Sequence, residues 1–170
     1  ISTGLVGSEM CIRDRPYGTE ALSTLRIEMG HVAGSELDGR TIPYDASLEG
    51  LVSKKKDFIG KRSLNRSAFT STDREKLVGV VPIDKTTSIP EGSYIVKDPK
   101  AKLPNPKLGH VSASCWSVEY DNPFSLAIIK DGKNMIGQKL FAMSPLKNKT
   151  IPVEIVSSHY VDPEGKRVRS

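Results

Sequence analysis

The feature that most constrains the fold is a change in hydrophobic period near residue 70. Beyond it, apolar and polar residues alternate over short runs that are separated by glycine- and proline-containing turn signals. Six runs are predicted as strands: 76–82, 93–97, 108–116, 124–130, 138–143 and 150–156. Short strands at this spacing indicate a small antiparallel barrel or sandwich.

The segment before the change of period contains a predicted helix at residues 19–29. One apolar stripe runs along it, formed by Ala21, Leu22, Leu25 and Met29. Thr19 is the expected N-cap, and Gly30 supplies the stop. Further along, 61–68 is predicted as a short helix, whereas 48–52 fits either a strand or a helical turn.

Glu28 lies at the edge of this stripe in the last helical turn, where the helix dipole disfavours a negative charge. An ionised carboxylate can accept two parallel N–H donors, and the amino-pyrimidine edge of a pterin offers such a pair. Glu28 is therefore the first candidate for a binding residue. The alternatives are a solvated glutamate, or an ion pair with Arg26 or His31. Asp45 is a weaker candidate, for which turn capping is the alternative.

A basic cluster follows, formed by Lys54, Lys55, Lys56, Lys61, Arg62 and Arg66. It could bind the carboxylates or phosphates of a polyanionic ligand, or it could be a solvated face. Nucleic-acid binding would require aromatic side chains between the charges, and only Phe58 is near. We therefore expect no nucleic-acid partner, although the net charge of +5 keeps a basic nucleic-acid-binding module as the alternative of another class.

Other motifs narrow the function further. The run EMCIRDR (9–15) resembles a translated sequencing adapter, so residues 1–15 are expected to be a scar, or else an ordinary tail. Cys115 then remains as one cysteine, which fits a reducing cytoplasm and is expected to be a core residue. The histidines lack metal-ligand spacing, no phosphate-binding glycine loop is present, and no apolar run spans a membrane. We expect no metal, no membrane association and no catalytic residue.

Longer motifs resemble a known family. The runs GTEALSTLRIEMG (18–30) and TIP (41–43) are similar to the folate-binding aminomethyltransferases, which include the glycine-cleavage T-protein. A narrower resemblance, to the alpha subunits of heterotetrameric sarcosine oxidases within that family, rests on KDFIGKRSL (56–64), LVGV (77–80), PEG (90–92), GHVS (109–112) and DPEG (162–165). The likeness covers nearly all of 16–170 and corresponds to the C-terminal part of a longer subunit.

The resemblance implies an α+β fold: part of a folate-binding domain at 16–70, a six-stranded antiparallel β-barrel at 71–165 and a tail at 166–170. It also implies tetrahydrofolate as cofactor. The family's pterin-binding glutamate falls on Glu28 and a basic contact, arginine in the T-protein, falls on Lys56. A tyrosine contact falls on Tyr160.

The implied activity is oxidative demethylation of sarcosine to glycine, hydrogen peroxide and methylene-tetrahydrofolate. In that assembly, a partner beta subunit carries the flavin that oxidises the amine, smaller subunits complete the hetero-oligomer, and FAD, FMN and NAD are expected outside this chain. The family's catalytic aspartate lies upstream of the matched motifs, so the chain alone is predicted to be inactive. A glycine-cleavage T-protein or a dimethylglycine dehydrogenase is the alternative within the family.

Overall fold

A computed structural model describes residues 18–101 and 106–169; the interpretation of residues 1–15 lies outside them. Six strands form: β1 Glu75–Pro82, β2 Tyr94–Val96, β3 Gly109–Ser117, β4 Asn122–Lys130, β5 Lys139–Ser144 and β6 Lys149–Val156. They close into a barrel in the order β1-β4-β3-β2-β5-β6, and each neighbouring pair is antiparallel. The predicted α+β fold with a six-stranded barrel is confirmed, and each predicted strand end lies within two residues of the observed one.

Aliphatic side chains fill the barrel interior, among them Val78, Ile95, Val111, Ile129, Val153 and Ile155. A second apolar cluster lies outside the barrel and includes Ile27, Leu77, Ala113, Phe124 and Leu126. Strands β1 and β4 are therefore buried on both faces over most of their length. This explains why they are the most continuously apolar strands in the sequence.

A β-bulge in β3 decides which of its residues meet the outer cluster. The pairing with β4 shifts between Val111 and Ala113. Val111 points into the barrel, whereas Ala113 and Cys115, beyond the extra residue, belong to the outer cluster with Ile27. Because side chains alternate between the faces of a strand, the extra residue reverses which positions point outward.

Helix α1, Thr19–Glu28, packs on that outer cluster through its C-terminal turn. Ile27 and Glu28 are buried there. The predicted stripe is wrong as a description of the buried face, because Leu22 and Leu25 are 50% and 54% exposed. The helix packs on β3 and β4, and its buried residues, Ile27 and Glu28, lie in its last turn, so tertiary contact overrides the apolar period along the helix. The N-cap is also Gly18 rather than Thr19, with no side-chain cap.

The helix ends as predicted at Gly30, in a Schellman motif. Gly30 has a φ of +69°, its amide donates to the Ile27 carbonyl at 3.0 Å, and the His31 amide donates to the Arg26 carbonyl at 2.8 Å. A Cβ at Gly30 would lie 2.5 Å from the Ser158 carbonyl oxygen. The turn therefore brings the end of α1 against the segment that follows β6.

The region from 49 to 70 contains only short elements and no buried residue. A 3₁₀ turn spans Glu49–Leu51, which answers the open question for 48–52, and two short helices follow, α2 Lys61–Leu64 and α3 Ser67–Thr70. The single helix predicted at 61–68 is wrong, because Arg66 is extended and separates the two. A 3₁₀ turn at Gly132–Met135 and α4, Lys166–Arg169, complete the elements. No helix among the described residues is long and apolar enough to cross a membrane.

Candidate functional site

The candidate site is centred on Glu28, where the end of α1 meets the β3–β4 hairpin and the segment after β6. Glu28 is 5% exposed. Its backbone carbonyl accepts hydrogen bonds from the amides of Tyr160 at 3.2 Å and Val161 at 3.1 Å. Carbonyls in the last helical turn lack partners within the helix, so these two bonds tie the helix end to the chain that leaves the barrel.

The two carboxylate oxygens of Glu28 have different environments. Oε1 accepts hydrogen bonds from the Ser117 hydroxyl at 2.6 Å and the Val118 amide at 2.9 Å, with the Glu119 amide at 3.5 Å. Oε2 accepts none from the described residues. Since no fully buried side-chain oxygen in the described part of the chain lacks a partner, Oε2 retains access to solvent. The protein fixes Oε1, and Oε2 remains available to accept a hydrogen bond from a ligand.

Both alternatives stated for Glu28 are wrong. Its side chain is almost wholly buried, Arg26 pairs with Glu36 instead, with its Nη1 3.2 and 3.1 Å from the two carboxylate oxygens, and no hydrogen bond or ion pair among the described residues joins Glu28 to the His31 side chain. Sequence reasoning missed the partners, Ser117 and Val118, which lie 89 and 90 residues from Glu28 along the chain. The sequence predicts that a strand ends next to Ser117. No local pattern, however, indicates which helix end the following hairpin will contact.

Tyr160 lies beside Glu28 through its backbone. Its ring stacks on Phe124 with centroids 4.3 Å apart and meets the edge of Tyr120 at 4.7 Å. Its hydroxyl accepts a hydrogen bond from the Asn122 side-chain amide at 3.1 Å. The side chain is thus in contact with two aromatic rings and hydrogen-bonded at its tip, and it is only partly buried.

Lys56 lies in the exposed 49–70 region, and no described contact joins it to Glu28 or Tyr160. Its amide donates to the Ser53 hydroxyl at 2.9 Å and its carbonyl accepts from Lys61 Nζ at 2.8 Å. Its ammonium group has no hydrogen-bond partner among the described residues. Lys56 also borders a cavity of about 440 Å³ with apolar walls that include Pro43, Leu48, Leu51, Phe58 and Leu64. A flat apolar group could enter this cavity with an anionic group at its rim.

Asp45 connects the loop after α1 to the start of β1. It is 7% exposed, accepts from Lys76 Nζ at 3.0 Å, forms an ion pair with Arg74, and caps its turn through the Ile42 amide at 3.2 Å. Burial by itself would raise the pKa of Asp45, but the hydrogen bonds from Arg74, Lys76 and Ile42 lower it below its usual value. Turn capping, the alternative role predicted for this residue, accounts for part of its contacts.

Cys115 lies half-buried in the outer cluster, near the charge of Glu28. Burial, with a contribution from Glu28, raises the pKa of its thiol to about 12. A thiol of this kind stays protonated at neutral pH and is a poor nucleophile. Among the described residues, no group of three or more His, Cys, Asp or Glu side chains could hold a metal ion.

Known proteins resemble the chain over most of its length, although no protein-family model matches it. A sarcosine oxidase subunit alpha from Rhizobium meliloti is 38% identical over 155 residues, which is 90% of this chain and 16% of that protein. One from Corynebacterium sp. (strain P-1) is 38% identical over 89% of this chain. An aminomethyltransferase from Chloroherpeton thalassium is 32% identical over 74% of the chain and 33% of its own length.

The fold agrees with these relatives. The crystal structure of glycine cleavage system aminomethyltransferase T from Bartonella henselae superposes with a TM-score of 0.67 and 22% identity, over 84% of this chain and 38% of that one. The chain spans only 16% of the length of the two sarcosine oxidase alpha subunits. By sequence and fold, the chain belongs to the aminomethyltransferase family, with sarcosine oxidase alpha subunits among its relatives.

Proposed function

We propose that the chain supplies part of the tetrahydrofolate-binding region of a sarcosine oxidase alpha subunit, with Glu28 accepting hydrogen bonds from the pterin. The observation that carries the proposal is Oε2 of Glu28, which is open to solvent and has no partner in the described part of the chain, on an otherwise buried and fixed carboxylate. A flat ring with N–H donors on one edge is a ligand that such an oxygen can orient. The resemblance puts the family's pterin-binding glutamate at the same position.

Two further residues have assigned roles in this proposal. Lys56, with its free ammonium at the rim of an apolar cavity, meets the carboxylates beyond the pterin, while the cavity accepts an aromatic ring. Lysine lacks the two-pronged donor geometry of arginine, so this contact is a point charge. Tyr160 contacts the folate and also holds the end of α1, because its amide binds the Glu28 carbonyl and its ring packs against Phe124 and Tyr120.

In the complete enzyme, sarcosine would be oxidised at a flavin on a beta subunit, and the one-carbon unit would pass to the tetrahydrofolate held here. FAD, FMN and NAD would be bound outside this chain, and the hetero-oligomer would be cytoplasmic. We also propose that residues 16–70 and 71–165 belong to two domains, and that this chain by itself is inactive, because the motifs that it shares with the family do not include the family's catalytic aspartate.

The test is calorimetric titration of the full-length protein, isolated with its copurifying subunits, with folinic acid. Glu28→Gln keeps an oxygen for the hairpin but replaces the free oxygen with an NH₂ group, so two donors would face each other. We expect a loss of affinity of about a hundredfold. Glu20→Gln removes the same charge from the exposed first turn of α1 and should change nothing. Unchanged affinity in folded Glu28→Gln would overturn the proposal.

A second candidate is an aminomethyltransferase of the glycine cleavage system, which the sequence similarity to an aminomethyltransferase supports. The two candidates differ in the reaction of the complete protein. Hydrogen peroxide formed from sarcosine supports the first. Transfer of a one-carbon unit from a lipoyl carrier, without peroxide, supports the second.

A further inference from the structure

The β3–β4 hairpin controls how Glu28 meets its ligand. We propose that Ser117 is a positioning residue that occupies Oε1 of Glu28 and thereby makes Oε2 the sole oxygen that receives the ligand's N–H donors. This inference rests on the proposed function and adds a residue that contacts the acid but not the ligand. It also replaces the expectation from the sequence, in which the Glu28 carboxylate accepts two parallel N–H donors through both of its oxygens.

The contacts at Oε1 leave it no free acceptor site. A carboxylate oxygen offers two lone pairs, and the two short bonds, from the Ser117 hydroxyl at 2.6 Å and the Val118 amide at 2.9 Å, occupy both, with the Glu119 amide farther away at 3.5 Å. Bonds from a hydroxyl and an amide to an ionised oxygen are of the strong, charge-assisted kind. A ligand would have to break one of them to bind Oε1, whereas Oε2 is free and open to solvent.

Ser117 is itself held in place. It is fully buried, ends β3 opposite Asn122, and accepts a hydrogen bond from the Tyr120 amide at 3.4 Å. The same hairpin reaches Glu28 by a second route, because Asn122 binds the hydroxyl of Tyr160, whose amide donates to the Glu28 carbonyl. Glu28 is thus fixed at its carboxylate by the β3–β4 hairpin and at its carbonyl by the segment that follows β6.

The consequence for binding is preorganisation. The terminal torsion of a glutamate is broad, so a carboxylate without an anchor rotates freely. Ser117 and Val118 fix this torsion before the ligand arrives, and fixing it in advance lowers the ordering cost of binding. Removing the Ser117 hydroxyl should therefore weaken recognition of the N–H donors, even though Ser117 does not contact the ligand.

The test measures discrimination between two ligands. The full-length protein, with its copurifying subunits, is titrated with folinic acid and with an analogue that lacks the 2-amino group. The readout is the ratio of the two Kd values, which a uniform structural disturbance would leave unchanged. In Ser117→Ala we expect this preference to fall by about tenfold. Ser117→Thr, which restores a hydroxyl, should recover most of it.

Two variants complete the experiment. Ser114→Ala removes a hydroxyl from the same strand that bonds Ser125 rather than Glu28, and it should keep the wild-type preference. Ser117→Cys keeps the side-chain size with a weak donor and carries the same test if truncation prevents folding. Full preference in folded Ser117→Ala and Ser117→Cys would overturn the inference. A wild-type protein without preference, or Glu28→Gln with full preference, would instead overturn the proposed function.

Discussion

Glu28 occupies an unfavourable end of its helix, and its tertiary contacts offset that cost. An acid in the last turn loses roughly 0.3–1 kcal/mol to the helix dipole. Each charge-assisted hydrogen bond from Ser117 or Val118 contributes roughly 1.5–3 kcal/mol, which exceeds the loss to the dipole. Glu28 therefore has a proposed binding role and a structural role in one side chain. Substitutions must be chosen so that they separate the two roles.

We expect Glu28→Ala to lower the free energy of unfolding by about 2–3 kcal/mol, because it leaves the buried Ser117 hydroxyl and the Val118 amide without an acceptor. Glu28→Gln retains an acceptor oxygen and should cost only about 1 kcal/mol. Chemical denaturation of both variants provides the measurement. Equal losses for the two would contradict the contact pattern at Oε1.

Gly30→Ala should destabilise the protein by about 2–4 kcal/mol, for two reasons. The residue has a φ of +69°, and an added Cβ would lie 2.5 Å from the Ser158 carbonyl oxygen. Gly34→Ala is the matched control, since its added Cβ would meet no atom within 4 Å. Thermal unfolding of the two variants compares them, and similar melting temperatures would argue against the close approach of 158 to the helix end.

Cys115 should resist alkylation in the folded protein. With a pKa of about 12, only about one thiol in ten thousand is ionised at pH 8. Iodoacetamide labelling followed by peptide mapping identifies the modified cysteine in native and guanidinium-unfolded samples. Rapid labelling of Cys115 without denaturant would show that the outer cluster is open at this position.

At the scale of elements, the loop after α1 is fastened to the start of β1. Arg74 and Lys76 both contact Asp45, and the Asp45 carbonyl accepts from the Leu77 amide at 2.7 Å. These contacts hold 41–47 against the barrel, although the sequence offers only an isolated acid near a proline.

The Asp45 contacts predict a pH dependence. The pKa of Asp45 is lowered in the folded protein, so its stabilisation is complete above its unfolded pKa of about 4 and is lost as the pH falls through the lowered folded value. Asp45→Asn should cost about 2–3 kcal/mol at pH 7, since it leaves two partly buried cations unpaired. The difference from wild type should shrink below pH 4.

Urea denaturation between pH 2 and pH 7 measures this difference. Asp57→Asn is the control, because Asp57 is fully exposed and its pair with Lys61 should contribute little at any pH. A difference between Asp45→Asn and wild type that is constant with pH would mean that the carboxylate does not pair as described.

Elements whose pattern is local were predictable from the sequence, and contacts between distant elements were not. Six strands follow from alternation and turn residues, and the helix stop follows from Gly30. The sequence also singled out Glu28 from its position in the helix. Its partner Ser117 depends on barrel closure and on the bulge before Ala113, which reverses the outward face of β3. The exposure of Leu22 and Leu25 likewise depends on which turn of α1 the barrel contacts.

At the scale of the whole molecule, burial is uneven along the chain. The barrel closes on itself and buries the cores inside and outside its wall, whereas residues 49–70 contain no buried residue and expose apolar side chains such as Leu51 and Ile59. Residues 49–70, which include Lys56, are held mostly by local turns and short helices; the contacts that join them to later residues lie at the two ends, where Glu49 pairs with Lys133 and Arg74 contacts Ala68 and Phe69. The Glu28 end of the site is therefore built on the barrel, and the Lys56 end is not.

Hydrogen exchange should reveal this difference directly. Amides in the doubly buried strands β1 and β4 open only with large parts of the barrel, whereas those in 49–70 open locally. We expect exchange in 49–70 to be about a thousandfold faster than in β4, which corresponds to a local opening that costs about 4 kcal/mol less free energy than opening of the barrel. Exchange followed by peptide mass spectrometry provides the comparison within one sample. The Val118 and Tyr160 amides should exchange slowly with the barrel, since they bind Glu28. Fast exchange of both amides would show that the barrel does not hold Glu28. The inference that Ser117 positions this acid would then lose its basis.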